Sequence, residues 1–297
     1  MGKDHRRPKG LQRLGLLVTV GVSAVLLTGC DTGEWERFAM PEQASKQGEA
    51  VLDLWQGAWI AALATGVVVW GLIFWAAWRY RRRSETDIPV QTRYNLPVEI
   101  FYTIFPIIMV IVFFGNTVRT QDEVLDDTPC PDNIVEVLGQ QWQWTFNYGL
   151  GDADCGVIEA NPEGSFTDFA YDEYAYVIGN LGVRPTLYLP LGESVRFNLY
   201  SADVIHNFGI PNFGMRMDLI PGRVNHYEIT PTKLGTYRGA CYELCGVYHS
   251  RMLFQVKVVE PDEYEAYVAS IADTRTTPVL GGADAITQAG LDTDEGE

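Results

Sequence analysis

Two membrane-spanning helices followed by an all-β sandwich or barrel is the fold class that this sequence predicts. Three observations point to it. Two uncharged apolar runs of about bilayer length lie within the first 120 residues, Ala58 to Trp78 and Ile100 to Val118. From Asn133 to Glu260 the pattern changes to short runs that mostly alternate apolar and polar residues. The charge changes with it. From Arg119 onward 10 Lys/Arg face 28 Asp/Glu, so this part alone exceeds the whole chain's net charge of −16. Such a field attracts cationic partners and repels nucleic acid.

The first 29 residues read as a processing signal. Lys3, Arg6, Arg7, Lys9 and Arg13 form a basic start, and Leu14 to Leu27 an apolar run of 14 residues. That run is too short for a bilayer core of about 30 Å but suits a secretory signal. Its end, Leu27-Thr28-Gly29-Cys30, resembles a bacterial lipoprotein box, which makes Cys30 the lipidated first residue of the mature chain. An external segment, 30–50, then leads into a two-helix hairpin over 51–118. Both runs are apolar around the whole circumference, as helices in lipid are. Trp55, Trp59, Trp75 and Trp78 lie towards the ends of the first, where interfacial aromatics gather. The loop 79–93 carries Arg79, Arg81, Arg82, Arg83 and Arg93 against Glu85 and Asp87. The positive-inside rule makes that loop cytoplasmic and puts both ends of the chain outside, as a translocated signal also requires.

Within the exported domain, 119–272, strands are expected at Ile134–Leu138, Trp142–Tyr148, Thr186–Leu189, Ser194–Tyr200, His226–Thr230, Thr236–Ala240 and Met252–Val259. Leu191-Gly192-Glu193, Pro221-Gly222 and Leu234-Gly235 supply turns between them. Several short strands at this spacing suggest an antiparallel sandwich or barrel. Residues 149–180 are weakly patterned and read as an insertion or long loop. Cys130 and Cys155 flank strand-like segments in an oxidising compartment, which makes a disulfide between them plausible. Pro261 can open a short helix with Tyr264, Tyr267, Val268 and Ile271 on one face. Residues 273–297, rich in Gly, Thr, Ala and acid, read as a disordered tail.

The chemistry is concentrated in Cys241 to Met252. Those 12 residues supply the thiols of Cys241 and Cys245, the imidazole of His249, the thioether of Met252 and the carboxylate of Glu243. Soft sulfur with imidazole favours copper, zinc or iron–sulfur chemistry over calcium or magnesium. His206 is the best-placed second imidazole. A disulfide between Cys241 and Cys245 would give the other three groups no reason to converge. Zinc could take both thiolates and both imidazoles but would not use Met252. A mononuclear copper site would leave one thiolate spare. Two copper ions fit the count: each thiolate bridges both metals, each metal takes one His, and Met252 with a backbone carbonyl fills the weak positions.

The pattern Cys241-x-Glu243-x-Cys245-Gly246-x-x-His249-x-x-Met252 resembles the copper A loop of cytochrome c oxidase subunit II. So do Asp203-Val204-Ile205-His206, Gly214-Met215-Arg216-Met217-Asp218, Ile220-Pro221-Gly222-Arg223 and Gln141-Trp142-Gln143-Trp144. The similarity covers roughly residues 50–270. It implies a cupredoxin-like Greek-key domain whose copper ligands are His206, Cys241, Cys245, His249, Met252 and the Glu243 carbonyl. The Glu243 carboxylate would face a magnesium ion at the boundary with subunit I. Trp142 matches the residue where electrons enter from a c-type cytochrome, although Trp144 offers the same chemistry. Glu99 matches an acid near the mouth of a proton pathway in subunit I, although acids are favoured at any helix start. Asp203 and Asp218 also read as surface or turn residues, and His226 as a strand residue.

The resemblance therefore implies an electron-entry subunit in a bacterial cell membrane. It would pass electrons to haem in subunit I, within a complex that also holds subunit III, for oxygen reduction coupled to proton pumping. Two features depart from the family: Gln140 stands where many relatives place His, and 149–180 has no clear counterpart. A stand-alone copper-binding or copper-delivery protein would not need two full spans with a charged loop between them. A nitrous oxide reductase would need a His-rich second domain, and a quinol oxidase subunit would lack the two cysteines.

Overall fold

The computed structural model describes residues 32–84, 86, 88, 90–151, 171–179, 182–271 and 273–280. The expected signal, Cys30 and Cys155 lie outside them. The chain divides into two compact units, Met1–Glu42 and Gln43–Glu297. In the first, the short helix α1 spans Thr32–Glu36.

Two long helices open the second unit, α2 (Lys46–Arg79) and α3 (Leu96–Val124), of 34 and 29 residues. At about 1.5 Å per residue they run roughly 50 and 43 Å, longer than a bilayer core is thick. Both continue past the expected 51–118 limits through polar outer turns. Val67, Phe74, Ile100 and Phe114 are exposed along their flanks. Water would not tolerate such surfaces, whereas lipid does. The entry of each helix is capped. The Ser45 hydroxyl accepts from the Gly48 N–H and donates to the Phe213 carbonyl at 2.8 Å. The Asn95 side chain accepts from the Val98 N–H, and the Glu99 carboxylate reaches back to the Asn95 N–H at 2.8 Å. The exchange works as a capping box does, with the acid one residue further along the first turn.

The remainder is a two-sheet sandwich. Its strands are β1 (Asn133–Gln140), β2 (Gln143–Leu150), β3 (Glu173–Ile178), β4 (Thr186–Pro190), β5 (Val195–Ser201), β6 (His206–Ile210), β7 (Met215–Leu219), β8 (Asn225–Ile229), β9 (Gly235–Cys241), β10 (Leu253–Val259) and β11 (Thr274–Arg275). One sheet runs β11-β3-β2-β1-β5-β8 and the other β4-β10-β9-β6-β7. Trp144, Phe146 and Phe197 from the first pack against Phe208 and Phe254 from the second, and the last two stack at 4.8 Å. This is the cupredoxin-like sandwich that the sequence led us to expect, with seven strands in their expected places to within a residue or two.

Three expectations need correction. The sandwich is not wholly antiparallel, because β1 pairs with β5 and β4 with β10 in parallel. Alternation of polarity records which face is buried and carries no strand direction. The weakly patterned 149–180 is not all loop: its end forms β3, which lies between β2 and β11. The tail 273–297, expected to be disordered, is ordered where it is described. Thr274 and Arg275 pair with Ala175 and Tyr174, and Val279 is buried with its backbone bonded both ways to the Asn147 side chain. The helix begun by Pro261, α4 (Pro261–Ser270), buries Tyr264 and Val268.

Two attachments join the helices to the sandwich. Before α2, the Ala44 N–H donates to Asn212 and the Lys46 N–H to Thr230, with Ala44 and Ser45 fully buried. After α3, the Thr128 N–H donates to Glu228, which is paired with Arg196 at 2.6 Å in a buried ion pair. Cys130 in this connection is disulfide-bonded.

Candidate metal centre

The ligand candidates come together because neighbouring strands of one sheet end at the same level. His206 is the first residue of β6, and Cys241 is the last of β9. Met252 immediately precedes β10, and its carbonyl accepts from the Cys241 N–H at 3.0 Å. The intervening loop turns back at Gly246, whose φ of 118° suits glycine. A short 3-10 turn, His249–Arg251, then brings His249 round.

The resulting cluster is compact. Cys241 Sγ lies 3.8 Å from Cys245 Sγ and 3.9 Å from His206 Nδ1. Cys245 Sγ lies 3.6 Å from His249 Nδ1 and 3.8 Å from Met252 Sδ. The Glu243 carbonyl stands 3.2 Å from Cys241 Sγ, while the Glu243 side chain is exposed. Both cysteines are free thiols, so a Cys241–Cys245 disulfide is not what the fold holds. His206 and both thiols are buried, with ligand atoms within 4.8 Å of one another. Two thiols, two imidazoles, a thioether and a carbonyl form a soft, largely dry donor set that fits copper.

Charge around the cluster is arranged in the same sense. The Asp203 carboxylate, which can only accept, lies 2.8 Å from His206 Nε2. That fixes the ring proton on Nε2 and leaves the Nδ1 lone pair for the thiol side, the usual carboxylate–histidine support of a metal ligand. Burial raises the Asp203 pKa, but bonds from His206, Gln141 and Val204 outweigh it and hold the group below its ordinary value. Burial also pushes the Cys241 thiol up, yet His206 and the Asn207 and Glu243 backbones bring it down to about 7. Cys245 goes the other way, to about 12, through burial first and then the neighbouring Cys241. One thiolate therefore forms readily, and the second calls for positive charge within the cluster.

The two tryptophans separate clearly. Trp142 is half-buried over the ligand loop, and its Nε1–H donates to the Cys245 carbonyl at 3.1 Å, beside a second bond from Gln141. Trp144 is fully buried, donates to the Met252 carbonyl, and lies 6.4 Å from the His206 ring. Glu99 stays in the first turn of α3, and His226 pairs with Asp127. Asp203, which in sequence also reads as a surface or turn residue, supports His206. Its spacing three residues before His206 was the available signal.

The family model described as cytochrome c oxidase subunit II, periplasmic domain, matches residues 133–259. A probable cytochrome c oxidase subunit 2 of Streptomyces avermitilis is 43% identical over 288 residues, covering 91% of this chain and 90% of that protein. This chain belongs to the cytochrome c oxidase subunit II family. The Mycobacterium bovis cytochrome c oxidase subunit 2 is 33% identical, with 90% of this chain and 84% of that one covered. Among solved structures, the periplasmic domain of subunit II from Bradyrhizobium japonicum is 28% identical, with a TM-score of 0.38 over 49% of this chain and 96% of that one. Membership of this family, together with the two apolar helices, makes the chain a membrane subunit of an oxidase.

Proposed function

We propose that the chain is the electron-entry subunit of its oxidase, holding a dinuclear copper A centre. Electrons come from a c-type cytochrome and leave for haem in subunit I, where oxygen reduction is coupled to proton pumping. The carrying observation is the paired thiols at 3.8 Å with an imidazole beside each sulfur. His206, Cys241, Cys245 and His249 would hold the metals, with Met252 and the Glu243 carbonyl in the weak positions. When bound, the copper pair supplies reversible storage of one electron shared across both metals.

The protein's own groups prepare that role. Asp203 orients His206 and sustains its basicity. Gln141 and Trp142 both donate to the Cys245 carbonyl, pinning the loop between the two thiols and His249. Trp142 thereby gives a surface aromatic a hydrogen-bonded route to a ligand residue. The exposed Glu243 side chain is free to turn towards a magnesium ion shared with subunit I. Glu99 would stand near the proton-pathway mouth, although its capping bond gives it a structural task as well. The arrangement in the membrane is a two-helix hairpin with 79–93 cytoplasmic and the copper domain outside. A lipid on Cys30, a Cys130–Cys155 bond and contact with subunit III complete the reading.

Full-length chain in detergent, loaded with copper, tests it. Two coppers per chain and a seven-line hyperfine pattern in paramagnetic resonance are expected, from one electron shared equally. Cys245→Ser should give a localised four-line signal or none. One copper with four lines in the unmutated chain, or zinc after metal-limited expression, overturns the reading.

A further inference from the structure

Tyr248 lies in the ligand loop between Cys245 and His249, and nothing above gives it a task. Its ring stands edge-on to Trp142, with 4.9 Å between centroids and planes at 90°. Tyr248 is exposed, while Trp142 beneath it is partly buried and bonded to the Cys245 carbonyl. The two aromatics are therefore ordered, tyrosine outside and tryptophan inside. The loop also packs closely on Trp142: a Cβ added at Gly246 would come within 3.0 Å of its ring. Tyr248 is also fixed. It is bonded in sequence to His249, its carbonyl accepts from the Arg251 N–H at 2.8 Å, and the Arg251 guanidinium lies 5.8 Å from its ring. Leu244 and Val247 flank it at 78% and 84% exposure. An immobilised tyrosine with an arginine and apolar neighbours is the composition of a protein contact centre.

We propose that Tyr248 is the outermost residue of the electron-entry path, the ring on which the exposed haem edge of a c-type cytochrome seats, and the clamp that keeps Trp142 aligned below it. The inference rests on the electron-entry reading and adds a residue to it. The step moves a single electron: the donor's ferrous haem becomes ferric, the oxidised metal pair gains the electron, and no bond forms or breaks. The route runs from the Tyr248 ring to Trp142, then through its N–H bond to the Cys245 carbonyl, and neither aromatic is itself oxidised.

The test uses full-length chain in detergent and a reduced soluble c-type cytochrome, with rates read by stopped flow. Tyr248→Ala should slow the second-order reduction about fivefold, the equivalent of one lost aromatic contact. Tyr248→Phe should restore the rate, because the ring and not the hydroxyl makes the contact with Trp142. Reduction by ascorbate should be the same in all three. A second reading needs no metal. In the metal-free chain, Tyr248→Ala should alter the near-ultraviolet dichroism of the indoles and weaken affinity for the ferric cytochrome about fivefold, with Phe again restoring both. An alanine variant with the unmutated rate and affinity overturns the proposal whatever metal the loop holds. So does a phenylalanine variant as impaired as alanine. Loss of the seven-line signal in the unmutated chain would instead count against the electron-entry reading, leaving the metal-free affinity to decide the seat.

Discussion

Gly48 and Gly57 stand nine residues apart in α2 and belong to different environments. A Cβ on Gly48 would come within 3.0 Å of the Phe213 backbone, and one on Gly57 would meet nothing within 4 Å. The same contrast divides the whole second unit. Gly66, Gly71 and Gly115 in the helices are open, whereas Gly139, Gly209 and Gly239 in the sandwich would each press a Cβ into a neighbouring side chain. The sandwich is therefore packed to completion by its own residues. The hairpin beyond its first turn is not, and its surroundings must come from lipid or other subunits. A metal cluster held to a few tenths of an ångström belongs on the completed part, and all six ligand candidates lie there.

Filling space in the sandwich should cost most. A Cβ at Gly239 would sit 2.1 Å from the Phe254 ring, which is itself buried and stacked on Phe208. Gly239 lies on β9, two residues before Cys241. Gly239→Ala should destabilise the sandwich by about 3 kcal/mol, the upper end for overpacking, and weaken copper retention with it. Urea midpoints followed by tryptophan fluorescence, with copper content on the same samples, check both. An unchanged midpoint would show that this core yields more than its packing suggests.

A smaller effect should come from a charge that the completed sandwich accommodates poorly. Glu136 on β1 is fully buried, and among the described residues its Oε2 has no hydrogen-bond partner. Burial pushes its pKa from 4.5 to about 7, against the opposing bonds with Asn198 and Tyr200. Between those values the unfolded chain has released a proton that the folded chain still holds. Stability therefore falls as pH rises from about 4.5 to about 7 and levels off above. Glu136→Gln removes this penalty. It should stabilise the sandwich by about 2 kcal/mol at pH 8 and flatten that part of the pH profile, with little change at pH 4. Equal slopes for the two proteins would show that Glu136 ionises freely within the fold.

The same division explains what was legible in the sequence. The helices were, because lipid imposes one requirement on about 20 consecutive residues. The ligand loop was, because Cys241 to Met252 places most of its chemistry within one short stretch. β6 was missed: His-Asn-Phe-Gly-Ile is buried on both faces, and such a strand shows no alternation. β11 was missed because its two residues are a strand only through pairing with β3, across almost 100 residues of chain. β3 was missed because it follows a long weakly patterned stretch before pairing back with β2. His206 was found by its type, but Asp203 behind it gained a role only once the Asp203-to-His206 turn had closed to 2.8 Å. The two tryptophans, two residues apart, would share a face if both lay in one strand. They differ because β2 begins only at Gln143, which leaves Trp142 outside the ladder. Trp144 points into the core and Trp142 sits at the turn above Cys245.

The smallest effect should come from the hairpin itself. Gly66 lies 18 residues beyond Gly48, about 27 Å along α2 from the junction with the sandwich. A Cβ there meets nothing within 4 Å beyond its own helix, and helix propensity favours leucine over glycine by up to about 1 kcal/mol. Neither term reaches the β-domain, whose attachments to the helices end at Gly48 on one side and begin near Val124 on the other. Gly66→Leu should therefore leave the urea midpoint of the sandwich within about 0.5 kcal/mol of the unmutated chain, and copper content unchanged. The measurement is the one used for Gly239→Ala, so the two variants report on a single scale. A midpoint shifted by 1 kcal/mol or more would mean that strain travels down α2 through Ser45 and Gly48 into the β6–β7 turn. The hairpin and the sandwich would then be one cooperative body, and the contrast between their glycines would describe space without describing stability.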